Sequence, residues 1–168
     1  ELLVRIERIA PRVDALTAMG QTVKIDSIDT TWTGDPATGA GKFQLKVNNL
    51  AIPDSLLAVS GEGAILKQIG YNGLNLDLAS SGDLTMKGDT LDYVFDLSLA
   101  GRDMGALSVN ASVGDLPVAA YAEMLKSQGE GKGIDFDKLA PQLQNVQVNG
   151  ASLSFTDNSI VKKLLPVV

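Results

Sequence analysis

Between Leu74 and Val113 the chain keeps a period of two over a longer stretch than any other pattern it contains. Leu74, Leu76 and Leu78 alternate with other residues, Leu84 and Met86 follow Gly82-Asp83, Leu91, Tyr93, Phe95, Leu97 and Leu99 alternate, and Leu107, Val109, Ala111 and Val113 close the series. Successive side chains of a strand point to opposite faces, so each such run has one apolar and one polar face. Gly88-Asp89 and Gly101 to Gly105 supply turn chemistry between the runs. The pattern predicts an antiparallel β-meander of four strands in this stretch. A sheet with one apolar face needs something laid across it.

The covering elements are predicted as helices. Pro53-Asp54-Ser55 starts one, and Leu56, Val59, Gly63, Leu66 and Ile69 carry its stripe to Gly70. Pro117, Val118, Tyr121, Met124 and Leu125 form a second, ended by the polar stretch Ser127 to Gly133, and Ile134 to Leu143 a shorter third. Val146, Val148, Ala151, Leu153 and Phe155 make a last strand whose alternation slips at Asn149-Gly150, the mark of a bulge. Asp157-Asn158-Ser159 then caps a helix from about Ile160, and the apolar cluster Ile160, Val161, Leu164 and Leu165 is expected to dock on the sheet.

At the other end, Leu2, Ile6, Ile9, Val13 and Leu16 are spaced by three and four, which favours an amphipathic helix stopped at Gly20. Pro11 leaves a second option, a strand over residues 2 to 9 followed by a helix beginning at Pro11. Thr22 to Thr33 is rich in β-branched residues and reads as a strand. Turn chemistry from Gly34 to Gly41 joins it to Phe43, Leu45 and Val47 as a hairpin. A helix, a glycine and a strand follow one another three times, at Gly20, Gly70 and after Leu143, which suggests a weak duplication. The expected fold is one α+β domain over residues 1–168: a mostly antiparallel, curved meander sheet of about six or seven strands, wrapping or packed by four or five helices.

Composition narrows the chemistry. The chain has 168 residues, 14 Lys plus Arg against 20 Asp plus Glu, a net charge of −6, and neither histidine nor cysteine. An acidic chain lacks the basic surface that nucleic acid requires. Without His and Cys, the common zinc, haem, thiol and Ser-His chemistries are excluded. No window reaches the ~20 nearly uncharged apolar residues of a membrane span. Absence of cysteine suits a chain that enters an oxidising compartment, where a stray thiol could mispair. The chain starts at Glu1 and ends on Leu164-Leu165-Pro166-Val167-Val168. It is expected to be a segment of a longer exported protein, with any leader or anchor upstream.

Motif by motif, the catalytic readings fall away. Gly34 to Phe43 has the Gly41-Lys42 ending of a phosphate loop, but Pro36 stands where that loop needs glycine and Phe43 where it needs Ser or Thr. Gly61 to Leu66 lacks the third glycine of a dinucleotide fingerprint. Ser159-Ile160-Val161-Lys162 has Ser-x-x-Lys spacing, which sets an amine one helical turn from a hydroxyl, but its partner motifs are missing. Asp77, Asp92 and Asp96 lie on the polar parity of their strands and read as a solvated face rather than a glycosidase pair. Asp135 and Asp137 suit a helix start. Glu130 to Asp135 offers too few oxygens for a calcium loop, and the glycosylation spacing Asn110-Ala111-Ser112 falls inside a predicted strand. No catalytic, cofactor-binding or metal-ligating residue is therefore assigned.

Leu97-Ser98-Leu99-Ala100-Gly101, Gly105-Ala106-Leu107-Ser108-Val109 and Ala151 to Ser159 alternate Leu and Ser between glycines. That style of strand, closed by an Asp, small polar, Ser, helix junction, resembles uncharacterised cell-envelope proteins of Gram-negative bacteria and, more loosely, the β-rich repeats of the AsmA-like family. The resemblance runs over roughly Gly70 to Leu165, and AsmA-type chains are far longer. It implies a periplasmic or otherwise extracytoplasmic protein with a role tied to the outer membrane or to lipid movement, and it carries no catalytic residues over. The expected function is non-enzymatic binding of an apolar ligand such as lipid in or beside the sheet. The alternative is a structural module that engages an envelope protein through a sheet edge or the acidic face, and the third choice is a carboxylate-based hydrolase.

Overall fold

The computed structural model describes residues 4–9, 15–18, 21–35, 37–58, 61–131, 133 and 135–165. In chain order these form β1 (Val4–Ile9), β2 (Ala15–Ala18), β3 (Gln21–Lys24), β4 (Ser27–Gly34), β5 (Gly41–Pro53), α1 (Asp54–Leu57), α2 (Gly61–Gln68), β6 (Gly73–Lys87), β7 (Thr90–Gly101) and β8 (Gly105–Pro117). Then come α3 (Val118–Gly129), α4 (Phe136–Leu139) with a 3-10 turn at Ala140–Gln142, β9 (Gln147–Asp157) and α5 (Ile160–Leu164). Seven strands lie in the order β1-β4-β5-β6-β7-β8-β9, and β2 and β3 branch off through a pairing of β3 with β5. Every pairing is antiparallel. The sheet is open, and its class is α+β, as the order of elements predicts.

Tight turns make this a meander. Lys87 faces Thr90 across the two residues Gly88 and Asp89, with Gly88 at φ 64°, a left-handed conformation that a two-residue hairpin needs and glycine adopts freely. The glycine-rich stretch after β4 is likewise a turn. Gly34 pairs with Gly41, and the Asp35 carboxylate accepts from the Ala37 amide at 2.9 Å and from the Thr38 hydroxyl at 3.0 Å.

Several expectations change in the structure. Val4–Ile9 is a strand, not part of a helix, because its residues pair with β4 from Val4↔Gly34 to Ile9↔Thr30. Ala15–Ala18 is also a strand, paired with β3, so these residues are not helical and the threefold helix, glycine, strand succession loses its first member. Residues 10–14, 19 and 20, which include Pro11 and Gly20, lie outside the described residues. Thr22 to Thr33 divides at Ile25-Asp26 into β3 and β4, which pair with different parts of β5. The meander between Gly73 and Pro117 has three strands, not four, because β6 runs 15 residues through Gly82-Asp83 without turning. The stripe from Leu56 to Ile69 is divided between α1 and α2, and Val59 lies outside the described residues. Ile134 to Leu143 condenses to α4 and the 3-10 turn.

Two sets of buried side chains hold opposite ends of the sheet. At the β6–β7 turn, Leu84, Leu91 and Leu116 pack with Ala120 of α3 and Leu139 of α4, and Leu91 and Leu139 are the largest of the fully enclosed side chains. At the other end, where α1 and α2 connect β5 to β6, Val23, Ile25, Leu57, Ile69 and Tyr71 are buried. No helix among the described residues is long and apolar enough to cross a membrane.

Candidate functional site

Strand register places the alternating residues in rows across the sheet. Leu45, Ser80, Leu97, Val109 and Leu153 stand opposite one another in turn across β5 to β9, and so do Val47, Leu78, Leu99, Leu107 and Phe155 two positions along. Strands about 4.8 Å apart make each row about 19 Å long. The same face is closed by α3 and α4 near Leu84 and Leu91. Between the helical ends the rows stay open: Leu107 is 37% exposed, Leu99 38%, Phe155 51% and Leu153 73%.

The recess in this open stretch takes its floor from strands and one wall from α5. Leu76, Leu99, Met104, Leu107, Phe155 and Ile160 line about 130 Å³. The carbonyl of Met104, in the β7–β8 turn, accepts from three successive backbone amides: Asn158 at 3.1 Å, Ser159 at 3.1 Å and Ile160 at 3.2 Å. Asp157 Oδ1 accepts from the Val161 amide at 3.0 Å. The cap of α5 is therefore Asp157, since Ser159 makes no capping bond. The Ser159 hydroxyl instead donates to the Asp103 carbonyl, which also accepts from Tyr71 Oη at 2.7 Å. Lys163 Nζ lies 3.8 Å from the centre of the Tyr71 ring. This clamp brings Ile160 onto the apolar rows. Of the four clustered residues, Ile160 and Leu164 are half-buried, while Val161 and Leu165 are exposed.

The opposite face is polar. Ser81, Asp96, Asn110 and Ser152 form a ladder across four strands: Ser152 donates to Asn110 Oδ1 at 2.6 Å, Asn110 donates to Asp96, and Ser81 donates to Asp96 at 3.5 Å. A shallow recess of about 220 Å³ adjoins it, between Gln44 and Lys46 on one side and Asp96 and Asn110 on the other. The three aspartates of the solvated face do not converge. Asp77 accepts from the Asn49 amide at 2.8 Å, Asp96 belongs to the ladder, and Asp92 is paired with Lys87. The hydrogen bond from Lys87 holds the Asp92 carboxyl below its usual range, and the same bond raises Lys87. Asp135 accepts from the Lys138 amide at 3.3 Å and pairs with its ammonium group at 3.0 Å, which lowers the acid and raises the base.

Ser159 and Lys162 do not form a nucleophile and base. The serine proton is directed at the Asp103 carbonyl, and it is Lys163, not Lys162, that lies over Tyr71. Gly63 has a packing reason, because a Cβ there would lie 2.0 Å from the Leu57 carbonyl oxygen. Asn110 of the glycosylation spacing sits in β8 with both amide atoms engaged. The clamp residues Tyr71, Asp103 and Met104 carried no signal in the sequence, since they meet α5 only through the fold.

A family model described as an uncharacterized protein matches residues 98–168. That stretch holds Leu99, Leu107, Val109, Leu153 and Phe155 of the open rows, together with α5. No curated protein and no solved structure matches the chain.

Proposed function

We propose that this is a non-catalytic, extracytoplasmic domain of the cell envelope whose open apolar rows bind a lipid acyl chain. The observation that carries the reading is the contrast along one face: buried under α3 and α4 near Leu84 and Leu91, solvent-exposed at Leu99, Leu107, Leu153 and Phe155 beyond them. Contiguous exposed apolar surface marks a binding site more often than a solvated one. A row of about 19 Å exceeds the ~15 Å that one leaflet of a ~30 Å hydrocarbon core spans, so an acyl chain can lie along it. Aliphatic linings suit such flexible ligands. The glycine-punctuated Leu/Ser strands shared in style with AsmA-like envelope proteins, and the absence of cysteine, support the compartment.

The test is native mass spectrometry and solvent extraction of the purified chain, with titration of a fluorescent long-chain fatty acid. A lipid adduct, lost in a Leu99→Asp, Leu107→Asp double variant that still melts cooperatively, is the expected result. Neither adduct nor titratable binding in the parent chain would remove the reading. Recovery of the full-length protein with the cytoplasmic fraction would remove its compartment.

A further inference from the structure

β9 is an open margin of the sheet. It pairs with β8 on one side, and among the described residues no strand pairs with the other. Every residue from Gln147 to Asp157 is exposed. Sheets ordinarily blunt such a margin with lysine, proline, a short strand or a covering loop. β9 runs 11 residues without lysine or proline, and its single charged residue, Asp157, stands at its end. Among the described residues the only such device is the bulge at Asn149, where the register against β8 shifts.

We propose that β9 pairs antiparallel with β9 of a second copy of this chain, about a two-fold axis through Ser152, so that two sheets become one. Like charges directly opposite one another weaken a strand pair, so an uncharged strand is the kind that accepts its own image. Ser152 is the midpoint of β9, and an axis there pairs the regular stretch Gly150 to Ser154 beyond the bulge. From Gly150 to Ser154 opposite residues then share a face, and the bulge at Asn149 takes Gln147 and Val148 out of this phase. Leu153 meets Ala151 of the second copy and Ser154 meets Gly150, large against small on each face. In this register both apolar faces lie on one side, and the row Leu97, Val109, Leu153 continues into the second copy. A pairing of β9 with β1 would leave free margins and build a filament, whereas the two-fold pairing closes. The proposal is independent of what the apolar face carries.

Sedimentation equilibrium of the chain is expected to show a monomer–dimer equilibrium. A single Ser152→Cys substitution, in a chain that has no cysteine, should give a covalent dimer on mild oxidation, while Gln44→Cys, exposed on β5, should not. Ser152→Lys sets two ammonium groups face to face across the axis, yet in one copy its lysine lies beside Asn110 and Asp96. It should weaken association at least tenfold with the melting temperature of the monomer retained. If that variant fails to fold, Leu153→Lys, at a side chain 73% exposed, gives the same reading. A parent chain monomeric at all concentrations, equal cross-linking of the two cysteine variants, or association unchanged by either lysine would overturn the proposal.

Discussion

Gly82 stands in the middle of β6 because the ring of Phe43 on β5 lies over it. A Cβ built there would be 2.2 Å from Phe43 Cε1. The two residues are register partners, so the ring fills the space that a side chain at 82 would otherwise occupy. Gly82→Val should therefore cost about 1–3 kcal/mol, the usual range for overpacking, because the ring must swing away from its strand. Gly150 in β9 is the contrast: a Cβ there meets nothing within 4 Å. Gly150→Ala should be neutral or stabilising by up to about 1 kcal/mol, since only chain entropy changes. Chemical denaturation of both variants checks the pair, and equal losses would show that close approach is not what selects glycine at 82.

At the scale of elements, α5 has five residues, too short to persist alone, since isolated helices below about 12 residues are marginal. It is held by Met104, Asp157 and the Tyr71–Asp103–Ser159 clamp. Tyr71→Phe removes one hydroxyl from that clamp and leaves the ring under Lys163. The expected loss is about 0.5–1.5 kcal/mol, a fall in melting temperature of about 1–6 °C for a chain of this size, with faster proteolysis between Ser159 and Leu165. An unchanged cleavage rate would show that the clamp does not hold the helix. Elements whose pattern is purely local were legible in the sequence. The alternation of Leu91 to Leu99 and the Gly88-Asp89 turn identify β7 and its hairpin, and the slip at Asn149 identifies the bulge. Elements decided by a distant partner were not. Leu2, Ile6 and Ile9 fit a helical stripe, and only pairing with β4 makes a strand of Val4–Ile9. Gly82-Asp83 has turn chemistry, and only Phe43 explains it within a strand. The open rows were visible as apolar faces, but where covering stops depends on how far α3 to α5 reach, and helix docking is a property of the assembled chain.

For the whole molecule, the titratable groups point to an unusually flat response to pH. Asp92 and Asp135 are lowered by their lysine partners, so their stabilisation is present above the ordinary value near 3.9 and is lost as pH falls through the depressed ones. Lys87 and Lys138 are raised by the same pairs, and Tyr93 and Tyr121 by burial. Their contributions are present below the ordinary values near 10 and are lost as pH rises through the raised ones. With no histidine and no cysteine, no side chain has an ordinary value between that of glutamate, about 4.3, and that of tyrosine, about 10. The melting temperature should hold within about 2 °C from about pH 5.5 to 9 and fall on both sides, and a mid-range step in a thermal scan would contradict this. From β4 to β9 the path of the sheet joins only strands adjacent in sequence. Nothing in such a sheet counts its members, because no closure fixes a strand number, as it does in a barrel. Adding or removing one hairpin would lengthen or shorten the face by about 10 Å and leave every other register as it is. The strand count therefore works as a ruler for the face, one that evolution can cut a hairpin at a time.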